Sequence, residues 1–276
     1  MSHEKDAARR MPREFIGTFI FLFIGLAAVV SLVAGGSDIT WAELTLTWGF
    51  AVMLGVYIAG HISGAHLNPA VTISLAVWSG FRRSKVIPYI AAQILGAFAG
   101  AATVYAIYRN MILAYEQGAG IVRSTAGGRA TASMFSTFPQ SGLSLLQAGL
   151  IELIITAVLM LVILAVTDGR NGAAPRAGLA AVSIGLTVAV LGIGFGRLTG
   201  FAMNPARDLG PRLLLLLSGW GTNALGPNLY GLIVPVFGPI AGALAGGAVY
   251  HKLIAPFYPA MPAVVLSAKD QDQPAS

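Results

Sequence analysis

Asn-Pro-Ala occurs twice, at Asn68-Pro69-Ala70 and at Asn204-Pro205-Ala206, and the second copy runs on into Arg207 and Asp208. Asn is a preferred helix N-cap, and Pro suits the first helical turn, where its missing N–H is not needed. Each box therefore starts a helix and aims its N-terminus. The chemistry available there is hydrogen bonding and fixed positive potential, not bond breaking. No nucleophile–base pair or phosphate loop is present, the four His have no metal-ligand spacing, and there is no cysteine to supply a disulfide or a thiol. The residue types thus predict no enzyme, no cofactor and no metal.

Both boxes open apolar segments, 67–81 and 203–220, that are too short to cross a bilayer. The rest of the chain is built for one. Of its 276 residues 56% are hydrophobic and 10% charged, where a soluble domain carries about 25% charge. Mean hydropathy is +0.75. Long uncharged runs lie at 15–34, 44–60, 86–108, 177–196 and 225–250, and a sixth, 142–167, is broken only by Glu152. A span needs roughly 20 apolar residues, so six transmembrane helices are predicted. The run at 15–34 is too long for a signal peptide and reads as a retained first helix.

The net charge of +6 says little about nucleic acid in such a chain; what matters is where the basic residues fall. With a cytoplasmic N-terminus, eleven of the 17 Lys and Arg lie in inside segments and six in outside segments. This predicts both termini inside.

The chain repeats. The segment from Glu14 to Thr18 matches that from Glu152 to Thr156, Asn68 matches Asn204, and the Gly96/Gly100 pair matches Gly242/Gly246, at offsets of 138, 136 and 146 positions. Three spans per half invert the second copy relative to the first. The two short segments then enter from opposite faces and meet near the middle. The predicted organisation is a cytoplasmic tail (1–13), a first repeat (14–115), an outer linker (116–142), a second repeat (143–255) and a disordered cytoplasmic tail (256–276). The glycine pairs predict close helix packing. Glu14 and Glu152, ionisable groups inside spans at a cost of about 2.5–3.5 kcal/mol, must have a function. They are either proton carriers or braces for loop N–H groups.

The paired boxes, with the strings SGAHLNPAVTISLA and LTGFAMNPARDLGP, closely resemble the aquaporin superfamily over about residues 14–253. Asp208 after the second box marks its glycerol-facilitator branch. The resemblance implies an all-α membrane protein: a right-handed bundle of six transmembrane helices plus two re-entrant half-helices, in inverted repeats. It implies a selectivity filter of Trp48, Gly192, Phe201 and Arg207. Gly192 leaves room for Phe201, and the two rings form an apolar corner facing the guanidinium. It also implies an acceptor wall of backbone carbonyls from Gly64, Ala65 and His66 and from Gly200, Phe201 and Ala202. Glu14 and Glu152 become loop braces rather than proton carriers, with Asp208 bracing nearby groups.

The expected function is a passive channel for glycerol and other small uncharged polyols, with some water permeability, that excludes ions and protons. Urea and uncharged metalloid acids are further candidate solutes. The family implies a homotetramer in the lipid bilayer, and the setting expected is a multi-pass protein of the cell inner (plasma) membrane. A water-selective channel and an ion-coupled transporter are the alternatives. Gly192, Phe201 and Asp208 argue against the first, and downhill-only flux would exclude the second. Arg197, near the outer mouth, reads either as a charge biasing the vestibule or as a snorkelling side chain.

Overall fold

The computed structural model describes residues 3–259. Nine α-helices run α1 (His3–Val33), α2 (Trp41–Ser63), α3 (Pro69–Trp78), α4 (Val86–Gly118), α5 (Arg129–Ala132), α6 (Leu145–Thr167), α7 (Ala180–Thr199), α8 (Pro205–Leu217) and α9 (Tyr230–Val249) among the described residues. Six of them, α1, α2, α4, α6, α7 and α9, are long and apolar enough to cross a membrane, and α3 and α8 are half-length. Exposed Ile107, Leu150, Ile154, Val190 and Phe237 face outward, while Glu14, Glu152, Asp208 and Arg212 are buried. Apolar outside and charge inside suits lipid as the solvent.

The helix contacts come in two matching sets. α1 packs on α2 and α4 as α6 packs on α7 and α9, and α3 against α9 matches α8 against α4. The self-matching pairs are α2 with α7 and α3 with α8. This is the inverted repeat, and glycines let its paired backbones approach closely. A Cβ on Gly96 would strike the backbone of Phe15, and one on Gly242 that of Leu153, its counterpart. Gly100 against Phe19 O and Gly246 against Ala157 O repeat the pattern. Where α2 crosses α7, Gly49 and Gly185 each lie against the other's carbonyl. Backbone-on-backbone packing of this kind replaces the hydrophobic drive that lipid cannot supply.

Several boundaries differ from the sequence reading. α4 continues ten residues past Tyr108 to Gly118, with no Gly or Pro to stop it, so Arg109 is helical. The half-helices are shorter than 67–81 and 203–220. Leu67 (φ 51°) and Met203 (φ 49°) are left-handed, so helix begins only at each Pro, and Gly80 (φ 73°) and Gly219 (φ 96°) turn the chain beyond each end. α1 starts at His3, well ahead of the apolar run. Most of the expected C-terminal tail, residues 260–276, lies outside the described residues; residues 256–259 complete a short turn beyond α9.

The segment from α4 to α6 is tied down rather than loose. Arg123 Nε donates to both Glu116 oxygens at 2.9 Å, and its guanidinium lies 3.8 Å over the Trp220 ring. Trp220 Nε1 in turn donates to Gly128 O (3.1 Å) and Thr131 Oγ1 (3.0 Å). This clasp presses the segment against the end of α8.

Candidate pore

The two boxes do what their residue types predict. Asn68 (φ −154°) and Asn204 (φ −153°) are extended N-caps. Asn68 Oδ1 accepts Ala70 N–H at 2.8 Å, and Asn204 Oδ1 accepts Ala206 N–H at 2.9 Å and Arg207 N–H at 3.3 Å. Pro69 and Pro205 occupy the first helical positions. The amide nitrogens cross between the halves: Asn68 Nδ2 donates to Met203 O and Asn204 Nδ2 to Leu67 O, each at 2.8 Å. Two helix N-termini, each worth roughly half a positive charge, therefore point at one place.

The strands leading into the boxes are strained and held by carboxylates. Gly64 (φ 88°) and Gly200 (φ 82°) end α2 and α7 in the left-handed region, where glycine is unhindered. Ala65 (φ 47°) and Leu67 in the first half, and Phe201 (φ 40°) and Met203 in the second, are left-handed without that freedom. Each such residue costs about 1–2 kcal/mol. Glu14 offsets this in the first half: Oε1 accepts Ser63 Oγ–H (2.6 Å) and His66 N–H (2.9 Å), and Oε2 accepts Leu67 N–H (2.8 Å) and Gln93 Nε2–H (2.8 Å). Glu152 does so in the second: Oε1 accepts Thr199 Oγ1–H (2.6 Å) and Ala202 N–H (2.9 Å), and Oε2 accepts Met203 N–H (2.8 Å). A planar trans peptide sets C=O opposite N–H. The carbonyls of Ala65, His66, Phe201 and Ala202 consequently point away from the carboxylates. Tyr89 Oη and Tyr230 Oη complete the match by donating to Ser63 O (2.8 Å) and Thr199 O (3.1 Å).

A cavity of about 270 Å³ runs beside these strands, lined by Gly64, Ala65, His66, Ala202 and both box asparagines. A second cavity of about 540 Å³ lies on the side of the α4–α6 connection, with Trp41, Gln140, Arg197 and Gly200 among its walls. Trp48, Phe201 and Arg207 line both cavities, so they form the neck between them. The Trp48 and Phe201 rings meet edge to face at 6.3 Å, and the Arg207 guanidinium lies 4.4 Å over Trp48. Gly192 packs against Phe201: a Cβ there would meet Phe201 Cε2 at 3.1 Å and Thr45 Cγ2 at 3.0 Å. Arg197 borders the second cavity, with its guanidinium 4.7 Å over Trp41.

Arg207 is steadied from behind. Its Nη1 donates to Phe135 O at 3.3 Å. Asp208 Oδ1 accepts Thr137 N–H (2.7 Å) and Oγ1–H (2.8 Å), while Oδ2 accepts from Arg212 Nε. Arg212 also donates to Thr137 O and Ala224 O. His66 sits between Phe81 and Tyr89 with Nδ1 3.1 Å from Thr72 Oγ1, as a brace at the cavity wall.

Sequence reasoning missed Ser63, Thr199, Gln93, Phe135, Thr137 and the weight carried by Arg212. The first two were findable: each hydroxyl precedes a strand glycine, at the repeat's own offset of 136. Phe135 and Thr137 come from a segment with no counterpart in the repeat.

Six spans in two inverted halves, with half-helices meeting at a necked cavity, define a membrane pore. A sequence model of the major intrinsic protein family matches residues 1–250. The chain belongs to the major intrinsic protein family. It is 46% identical over 248 residues to the glycerol uptake facilitator of Pseudomonas aeruginosa, covering 89% of this chain and 88% of that one. The glycerol uptake facilitator of Haemophilus influenzae is 48% identical over 243 residues, 87% of this chain and 92% of its own. The propanediol uptake facilitator of Citrobacter freundii is 45% identical over 243 residues, 87% and 90%. The aquaglyceroporin structure from Plasmodium falciparum superposes with a TM-score of 0.80 at 34% identity, covering 91% of this chain and 98% of that one.

Proposed function

We propose that this chain is a passive channel, not an enzyme, for glycerol and other small uncharged polyols, with some water permeability. The observation that carries the reading is the neck: two aromatic rings set edge to face and one guanidinium beside them. A polyol has a CH face and an OH face. The CH groups lie on Trp48 and Phe201, and hydroxyl oxygens accept from Arg207, a planar fork of five N–H donors of which Phe135 O engages one. A solute stripped of water on one side only by apolar rings keeps its hydrogen bonds on the other.

Past the neck, the carbonyls of Gly64, Ala65 and His66 and of Gly200, Phe201 and Ala202 serve as the acceptor wall. Each box asparagine has two amide N–H groups, one committed to the opposite half. The other donates to the passing oxygen. Helix N-termini and Arg207 together hold a positive potential along the path, which opposes cations and hydronium. Glu14 and Glu152 act as braces: each accepts at least three hydrogen bonds from the loop strands and their neighbours. These standing hydrogen bonds favour bracing over proton carrying.

The setting that fits is the inner (plasma) membrane, with both termini cytoplasmic on the distribution of basic residues, and a homotetramer with a pore in each subunit. Stopped-flow light scattering on proteoliposomes tests the reading. Fast downhill glycerol entry that falls in Trp48 and Phe201 variants is the expected result. Fast water flux with glycerol entry at the level of empty vesicles would make the chain a water channel instead.

A further inference from the structure

The ring of Phe201 lies across two glycines one helical turn apart on α7. A Cβ on Gly192 would meet Phe201 Cε2, on one edge of the ring, at 3.1 Å. A Cβ on Gly196 would collide with Phe201 Cδ1 on the opposite edge, approach Cε1 at 3.0 Å and reach Trp41 Cζ2 at 2.8 Å. The filter assignment singles out Gly192, yet the tighter contact is at Gly196.

The ring is confined on its α7 side and at its backbone. Its backbone is fixed on both sides: Gly200 N–H donates to Gly196 O at 2.8 Å, and the N–H groups of Ala202 and Met203 are held by Glu152. Trp41 stands edge-on to the same ring at 6.2 Å on the outer side. Bulk added on α7 therefore drives the ring toward Trp48 and Arg207, into the neck.

We propose that Gly196, with Gly192, forms a two-glycine saddle that sets the bore of the pore, and that Gly196 is a specificity-determining position for polyols over water. The inference rests on the polyol-channel reading. Gly196 also borders the second cavity, but it acts on the neck through Phe201 and is a positioning residue.

Gly196→Ala tests it. Residue 196 is inside α7 with an ordinary helical backbone, where Ala is the better helix former, so the change adds bulk without backbone strain. Glycerol and water permeability are measured on the same proteoliposomes for wild type, Gly196→Ala, Phe201→Leu, and the double variant. A methyl-sized misfit is worth about tenfold in discrimination. The expected result is a glycerol-to-water ratio about tenfold below wild type in Gly196→Ala, recovering in the double variant toward that of Phe201→Leu. A purely structural role for Gly196 would lower both permeabilities together, with no recovery on trimming Phe201, and that outcome overturns the saddle. So does a wild-type ratio in Gly196→Ala. Wild-type glycerol entry at the level of empty vesicles would instead overturn the polyol reading, and a water permeability of Gly196→Ala equal to wild type would then sink the saddle as well.

Discussion

Asn68 and Asn204 exchange hydrogen bonds across the centre of the protein, each amide donating at 2.8 Å to the carbonyl that precedes the other's cap, Met203 O and Leu67 O. Each asparagine thus caps its own half-helix with its oxygen and secures the opposite strand with its nitrogen. Neither function alone requires Asn at both positions, since Ser, Thr or Asp would cap as well.

Asn204→Asp separates the two roles. The cap oxygen survives, but a carboxylate now faces Leu67 O where an amide donated. Leaving a buried carbonyl opposite an acceptor costs about 1–3 kcal/mol, and the negative charge cancels part of the central positive potential. Proton flux through proteoliposomes, followed with an internal pH dye, should rise above that of wild type. An unchanged proton barrier would place it at Arg207 rather than at the box.

Glu152→Gln should destabilise without coupling the channel to protons. Thr199 Oγ1 and the N–H groups of Ala202 and Met203 all need acceptor oxygen, and Gln offers one oxygen where Glu152 offers two. Losing a hydrogen bond to a charged group costs about 1.5–3 kcal/mol, read as a lower melting temperature in detergent. In wild type, labelled glycerol should equilibrate across vesicles and never accumulate under a pH gradient of either sign. Accumulation would revive the proton-carrier role.

The Asp208–Arg212 pair is predicted to be far more sensitive to loss of one partner than of both. Both side chains are buried, and Arg212 also holds Thr137 O and Ala224 O. Asp208→Asn strands a buried guanidinium, at about 3–5 kcal/mol. Asp208→Asn combined with Arg212→Met should recover part of that in a thermal melt. Through Thr137 and Phe135 the same single change should loosen Arg207 and lower glycerol selectivity. A melting temperature within error of wild type for Asp208→Asn would mean that the pair does not brace the segment.

At the other end of the bundle the Arg170 guanidinium beside Asp168 holds that carboxyl well below the usual carboxylate range, with Tyr250 Oη also donating to it at 2.9 Å. A depressed carboxylate stabilises the fold above its unfolded-state pKa, about 3.9, and that stability is lost as pH falls through the lower folded value. The melting difference between wild type and Asp168→Asn should therefore be the same at pH 8 and pH 5 and shrink only in stronger acid. A difference that changes between pH 8 and 5 would assign the titration to another group.

The elements were legible because lipid simplifies the code. Uncharged runs mark spans, Asn-Pro marks a helix start, and a repeated Glu near the start of two spans marks a shared duty. Trp48, Phe201 and Arg207 came from resemblance rather than from spacing, since nothing local says that residues 48 and 201 will touch. The left-handed backbone at Ala65, Leu67, Phe201 and Met203 was illegible, because none of those residue types favours it. Tertiary hydrogen bonds to Glu14 and Glu152 impose it. Thr137 and Phe135 were hidden for a related reason: they lie in the unrepeated connection, where symmetry offers no second copy to compare.

Gly96 on Phe15, Gly100 on Phe19, Gly242 on Leu153 and Gly246 on Ala157 leave no space for even one methyl between paired spans. Spacing fixed by main chain on main chain acts as a ruler that side-chain mobility does not stretch. A thicker or thinner bilayer should then be met first by the outward-facing Leu, Ile, Val and Phe side chains, before the distance between these paired spans changes.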